Sequence, residues 1–365
     1  MKKTILNSNY LILFSLLWTV FLSNPEERQS GDEIQEFTLE KQEEIILESE
    51  DMLFGRFRQG FVVSKDERLL AFHDFSNQQI VVFNSDGSFV NAIGSEGSGP
   101  EEFRNVFGYN FSKENTIWAF DENLNTFKHF DLDGNIISTI EGIYGDGFVQ
   151  TRYQLFVNNE TLYIPVKEAE YSSEDASQNW QSALMAVYST AGEFVKTIGT
   201  YGDPVKNPNH YAVRGLFDID FEEETLLVGY STSHQLSQIK LDTDNQEFFG
   251  KIPENFLVPT ESTNVDDSLN EILRKGLSRS SPSSVFITDH YYVQYFQNLT
   301  QEWYDTRDPN TKDHFLVFYD RKSQNYLGEL EIPFAVGAIT PNGTLYLIED
   351  IDPDAYTIGS YRLHR

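Results

Sequence analysis

Five arginines recur at comparable places along this chain. Arg58, Arg104, Arg152 and Arg214 each stand ahead of a short run of alternating apolar residues, and Arg279 is a looser fifth. A guanidinium offers a rigid fork of donors matched to carboxylate or phosphate. Several of them around one axis would form a funnel for an anion. The competing reading is local: each arginine pairs with a nearby acid such as Glu101, Glu102 or Asp218. Acids are plentiful, because the 365 residues hold 57 Asp and Glu against 27 Lys and Arg, a net charge of −30. Charge of that sign repels phosphate backbones and anionic headgroups, which argues against nucleic acid or a membrane surface as partner.

Asp74, Asp121 and Asp350 each close a strand-like run, and with Asp218 they are the acids available to a cation. Calcium takes about six to eight oxygens. A convergent set would make a Ca²⁺-dependent hydrolase or lactonase. The alternative at Asp74, Asp121 and Asp350 is a side chain that caps its own turn. The stretch Asp131-Leu132-Asp133-Gly134 resembles half a calcium loop but reads better as a hairpin turn. Trp303 and Tyr304, in one loop, and Tyr171 and Trp180, in another, suit sugar stacking or peptide capture, or burial against a neighbouring unit. The seven histidines are scattered, and there is no H-E-x-x-H, no G-x-S-x-G and no phosphate-cradling glycine pattern ahead of a helix. The chain has no cysteine, which excludes thiolate chemistry, disulfides and a cysteine-linked lipid. No catalytic set assembles. The expectation is a non-catalytic binding or scaffold protein without a cofactor, whose ligand is an anionic small molecule, a saccharide, or a peptide or protein.

These side chains need a frame, and the frame repeats. Ile80–Phe83 and Ser88–Val90 flank Asn84-Ser85-Asp86-Gly87. Phe127–Phe130 and Asn135–Ile137 flank Asp131–Gly134, and Met185–Tyr188 and Glu193–Val195 flank Ser189–Gly192. Weaker copies surround Asp242–Asn245 and Asp320–Ser323. Asp-Gly between alternating runs marks a hairpin, because the turn needs positive φ. A second hairpin precedes each of these, with turns at 64–67, 112–115, 157–160, 221–224, 288–289 and 341–343. Six units of four short strands predict an all-β, six-bladed β-propeller with antiparallel blades at 58–93, 105–140, 152–198, 214–251, 284–330 and 334–363. The last unit lacks a fourth strand. Phe37–Leu39 and Glu44–Leu47 are spare, so an N-terminal strand is expected to enter the last blade and close the ring, removing open sheet edges.

The segment Gly94-Ser95-Glu96-Gly97-Ser98-Gly99-Pro100-Glu101-Glu102-Phe103, followed by Ile117–Asp121 and Phe127–Ile137, resembles the exported bacterial six-bladed propellers related to NHL-repeat and TolB-like propellers. The resemblance is closest over about residues 80–140. It implies a fold and an exported location, periplasmic or extracellular, and no particular activity. The lipoprotein cysteine common in that family is absent here.

Residues 1–23 read as a signal peptide or N-terminal anchor: Lys2 and Lys3 precede the apolar run Leu11–Leu22, which is short for a membrane span. Any membrane contact is expected through this segment alone. Residues 24–36 read as a linker and 37–365 as the propeller. Within it the connections at 94–106, 141–151, 168–182, 199–213, 252–283 and 297–313 are long and fall on one face, which marks that face for binding. One of them carries a helix pattern over 265–275, with Asn264 as its cap.

Overall fold

Gly87, Gly134 and Gly192 have φ of 91°, 86° and 87°. This is the left-handed region that a Cβ disfavours, so the three clearest turns of the sequence are hairpin turns because glycine stands there. In the computed structural model, which describes residues 34–48, 54–58, 60–168, 181–202, 214–264, 266–351 and 356–365, such hairpins build six antiparallel sheets. Residues Gln35–Arg365 form one compact unit. The segment 1–23 and residues 24–33 of the linker lie outside the described residues. No helix among the described residues is long and apolar enough to cross a membrane.

The protein is a six-bladed β-propeller. Blade 1 holds Val62–Val63, Leu69–Asp74, Gln79–Asn84 and Phe89–Ile93, innermost strand first. Blade 2 holds Val106–Phe111, Ile117–Asp121, Thr126–Phe130 and Ile136–Glu141. In blade 3 the innermost strand is broken into Phe148–Gln150 and Phe156–Asn158, both paired with Thr161–Glu168, which is followed by Ala183–Ser189 and Phe194–Thr200. Blade 4 holds Gly215–Asp220, Thr225–Tyr230, Ser233–Lys240 and Gln246–Phe249, and blade 5 Ser280–Ile287, Tyr291–Asn298, Asp313–Asp320 and Tyr326–Ile332. Blade 6 takes three strands from the C-terminus, Ala335–Ile339, Thr344–Asp350 and Tyr356–His364. Its fourth is Thr38–Leu47, antiparallel to Tyr356–His364 from Thr38 opposite His364 to Leu47 opposite Tyr356. The ring is closed as the spare N-terminal strand requires.

The core lies between blades. Strand Leu69–Asp74 is buried throughout, and its two faces serve different neighbours. Leu70 and Phe72 join Ile358 and Tyr346 of blade 6, while Leu69 and Ala71 join Val106 and Ile117 of blade 2. A middle strand with both faces covered needs apolar residues at successive positions, which is why Ile80–Phe83 and Leu226–Val228 read as continuous apolar runs.

Two helices lie in the long connections. Helix α1 spans Leu269–Gly276, starting later than the sequence suggests. Ser268, not Asn264, is its N-cap, because Ser268 and Glu271 exchange side-chain and backbone hydrogen bonds as a capping box. Helix α2, Gln301–Thr306, stands where the sequence reads as a loop; the Thr300 hydroxyl accepts from Trp303 N and starts it.

One buried carboxyl makes the blade 4–5 seam sensitive to pH. Part of Asp218 remains exposed, but its carboxyl turns inward. There it accepts from Ile287 N at 2.7 Å and Ile219 N at 2.9 Å. Burial pushes its pKa up to about 7, and the two amide donors oppose this only in part. A carboxyl whose folded pKa lies above its unfolded value stabilises the fold below the unfolded pKa, near 3.9. That contribution is lost as pH rises through about 7. The melting temperature is therefore expected to fall between about pH 5 and pH 8, and Asp218→Asn to flatten that decline. An equally steep decline in the variant would assign the effect to another group.

Candidate functional site

The break in the innermost strand of blade 3 creates the site. Between Gln150 and Phe156 the chain leaves the sheet and carries Arg152, Tyr153 and Gln154 toward the axis. The Gln150 amide holds the loop by donating to Arg152 O at 2.9 Å and Gln154 O at 2.7 Å. Blade 2 leaves room for it with Gly108, where a Cβ would lie 2.8 Å from Gln150 Nε2 and 3.0 Å from Gln154 O. Gln154 in turn donates to Phe217 O of blade 4 at 3.1 Å.

Arg152 reaches across to blade 5, where its Nη2 donates to Ser283 O at 2.9 Å. That carbonyl is presented by a bulge between Pro282 and Ser284, the kind of irregularity that re-aims groups beside functional sites. Burial, with the Arg214 charge adding to it, lowers the pKa of Arg152 to about 10. Arg152 therefore stays charged at neutral pH.

Arg58 sits against the same loop. Its guanidinium carbon is 3.8 Å from the centroid of the Tyr153 ring and 5.6 Å from that of Phe75, a cation–π arrangement. Its Nε donates to His73 Nδ1 at 3.1 Å. An arginine can only donate, so this contact requires His73 to be neutral at Nδ1. Burial, then the Arg58 charge, lowers the His73 pKa to about 4, which satisfies that requirement. Arg214 opens the innermost strand of blade 4; its backbone N donates to the Ser231 hydroxyl at 3.0 Å, and its side chain is exposed. Arg279 precedes blade 5 and donates from Nη1 to the Thr263 hydroxyl at 2.6 Å.

These four arginines surround one cavity on the propeller axis, about 730 Å³ in volume, lined by the innermost strands of all six blades or the residues leading into them. Its remaining polar lining is hydroxyls and amides, among them Ser281, Ser284, Gln154 and Gln297. Among the described residues, no aspartate or glutamate lines it. Local pairing with acids is not what the structure gives Arg58, Arg152 or Arg214: among the described residues none of the three makes an ion pair with a carboxylate. The cavity opens toward the face of the long connections, since the innermost strands begin there.

Other sequence candidates stand elsewhere. Arg104 is exposed, lies outside the cavity lining, and donates from Nε to the Ser98 hydroxyl at 2.6 Å. The glycine-rich linker, not the axis, holds it. Trp303 and Tyr304 also lie outside the lining, on α2, with the Arg307 guanidinium 5.0 Å and 4.7 Å from their rings. Trp180 and Tyr171 lie outside the described residues.

The aspartates do not converge. Asp74 accepts from the backbone N of Gly55, Ser76 and Asn77 and from the side chains of Asn77 and Gln79. Asp121 accepts from the backbone N of Arg104, Asn105 and Leu124. Both thus fix a turn and the approach to the innermost strand. Asp218 serves Ile287, and Asp350 ends the second strand of blade 6. Among the described residues no three histidine, aspartate or glutamate side chains could share a metal ion, so Asp74, Asp121, Asp218 and Asp350 are not brought together as a calcium site. Sequence reading missed Tyr153, Gln154 and Ser283. The one local signal was the run Thr151-Arg152-Tyr153-Gln154, which interrupts the alternation of a strand.

A family model described as a 6-bladed beta-propeller matches residues 37–144, the closing strand and the first two blades. The fold is similar to that of a member of the DUF4221 family from Bacteroides vulgatus, with a TM-score of 0.66 at 13% identity, covering 90% of this chain and 99% of that one. A protein from Bacteroides fragilis described as exported is similar with a TM-score of 0.52 at 13% identity, over 90% of this chain and 96% of its own. At such identity the likeness is one of fold. No curated protein matches the chain.

Proposed function

We propose that the propeller is a non-catalytic binding protein that captures an anionic small molecule in its axial cavity, from the face of the long connections. One observation carries the reading: in a chain of net charge −30, the cavity on the axis is lined by Arg58, Arg152, Arg214 and Arg279 and, among the described residues, by no carboxylate. Guanidiniums turned toward one space, with hydroxyls and amides between them, form a donor array that suits an oxyanion and gives little to a cation. Acids elsewhere do not cancel it, because their field is screened beyond about 8–10 Å at physiological salt.

The same proposal extends to export, by way of residues 1–23 and the description of the Bacteroides fragilis neighbour. It also keeps the relation to NHL-repeat and TolB-like propellers, which rests on the linker Gly94–Phe103. That linker turns on hydrogen bonds from Gly97 N to Phe103 O and from Gly99 N to Glu102 Oε2 and buries Phe103 at its end.

In thermal-shift titrations of the whole protein, citrate and sulfate are expected to raise the melting temperature, while uncharged disaccharides and lysine-rich peptides leave it unchanged. The acidic surface should slow anion arrival, so association is expected to quicken with moderate added salt. Stabilisation by neutral sugars or basic peptides, with none from either anion, would refute the reading.

A further inference from the structure

We propose that the ligand is an organic acid with an apolar tail, its carboxylate held among the arginines at the mouth of the axial cavity and its tail reaching down toward the face of the short turns. The inference rests on the binding function proposed above and names the class of ligand. At about 730 Å³ the cavity is of the size that encloses an organic molecule, about 300–1,000 Å³, and has room for far more than a bare oxyanion.

Each innermost strand runs from the face of the long connections to the face of the short turns, so position along it reads as depth. On blade 5 Ser280 pairs with Asn298 at the upper end and Ile287 with Tyr292 at the lower. Arg279, Ser280 and Ser281 come first, Arg152 meets Ser283 O midway, and Val285 and Phe286 follow below. Blade 1 repeats the order: Arg58 stands beside His73 at the top, and Val62 lies opposite Ala71 farther down. Tyr109 of blade 2 also lines the cavity, opposite Ala119 in the lower half of its strand. Blade 6, which faces blade 3 across the ring, adds Ala335 and Val336 to the apolar wall. Val62 and Phe286 are only half-buried and present apolar surface to the cavity they line. At the far end the Lys65 ammonium, in a short turn of blade 1, lies 2.8 Å from the Glu222 carboxylate, in a short turn of blade 4. Blades 1 and 4 stand opposite each other, so this pair crosses the axis and narrows that end.

The cavity is thus cationic where it opens and apolar where it ends. Guanidiniums hold a carboxylate through paired, charge-assisted hydrogen bonds. Val62, Tyr109 and Phe286 offer no such bonds and gain only by losing contact with water. A compact hydrophilic anion uses the mouth alone. An acid that enters tail first uses both parts, and each methylene placed below Arg152 adds to its affinity.

The test is calorimetry of the intact protein with acetate, butyrate, hexanoate and octanoate, and with hexanol and hexylammonium as controls. Affinity is expected to rise roughly two- to fourfold with each added methylene. Hexanol and hexylammonium should bind at least roughly tenfold more weakly than hexanoate, because neither brings a carboxylate to the arginines. Arg152→Ala should weaken all four acids alike, by roughly tenfold or more. Val62→Asn should flatten the dependence on chain length, with melting showing it folded. Val62→Thr, closer to valine in shape, reads the same effect should asparagine unfold the blade. Octanoate no tighter than acetate, hexanol as tight as hexanoate, or a chain-length dependence unchanged in both Val62 variants overturns the inference. So does binding of citrate or sulfate without binding of any of the four acids, an outcome that leaves the binding function standing. Failure of citrate, sulfate and all four acids to bind overturns both.

Discussion

Replacing Arg152 with alanine is expected to weaken binding of citrate or sulfate by about 1.5–3 kcal/mol, roughly ten- to hundredfold. Arg152 is the arginine on which the cavity depends most. It is half-buried, it spans from the broken strand of blade 3 to Ser283 of blade 5, and only its bond to Ser283 O occupies a donor. Its other donors have no described partner, and its charged neighbour Arg214 is a cation, which favours an anion between the two. Arg58→Ala should cost less, because Tyr153 and His73 already hold that guanidinium. Arg104→Ala is the control: its side chain serves Ser98 in the linker, and affinity should be unchanged. Isothermal titration of the three variants checks this. Equal losses in Arg104→Ala and Arg152→Ala would place the anion outside the axial cavity.

Deleting residues 35–47 is expected to abolish cooperative unfolding of the whole propeller, not to loosen one edge. The segment supplies the outer strand of blade 6, paired along nearly the full length of Tyr356–His364. It also places Ile45 and Leu47 in the core shared by blades 6 and 1. Phe37 stacks on Phe318 of blade 5 with ring centroids 4.1 Å apart. Each such side chain contributes about 1.5–3 kcal/mol when fully buried. Three of them approach the whole stability of a typical domain, about 5–15 kcal/mol, before the unpaired edge left on Tyr356–His364 is considered. Circular dichroism melts of the full-length and shortened proteins would decide it: a shortened chain that melts as sharply, within a few degrees, would show that the ring does not depend on its closing strand.

The number of blades, the hairpin turns and the closing strand were legible in the sequence because each is decided locally. Gly87 and Gly134 fix their turns through their own backbone freedom. The alternation of Phe127–Phe130 fixes which side chains face which core. The spare Glu44–Leu47 has nowhere to pair except a blade short of one strand. Helix α1 begins several residues later than the pattern over 265–275 implies, because the reciprocal bonds of Ser268 and Glu271, not Asn264, cap it.

The cavity was half legible. Recurrent arginines ahead of innermost strands signalled a cationic axis, but spacing treats Arg104 and Arg152 alike. The tertiary structure separates them. Arg104 is taken by Ser98 six residues away. Arg152 is turned inward by a strand break that Gln150 holds and Gly108 accommodates, and is met by a carbonyl 131 residues further along the chain. The aspartates divide in the same way: Asp74 is saturated by its own turn and by Gly55, whereas Asp218 meets another blade, where burial pushes its pKa up to about 7. A turn depends on its neighbours in the chain, which the sequence displays. The direction of a side chain relative to the axis depends on bulges and contacts contributed by other blades, and only the closed ring brings those together.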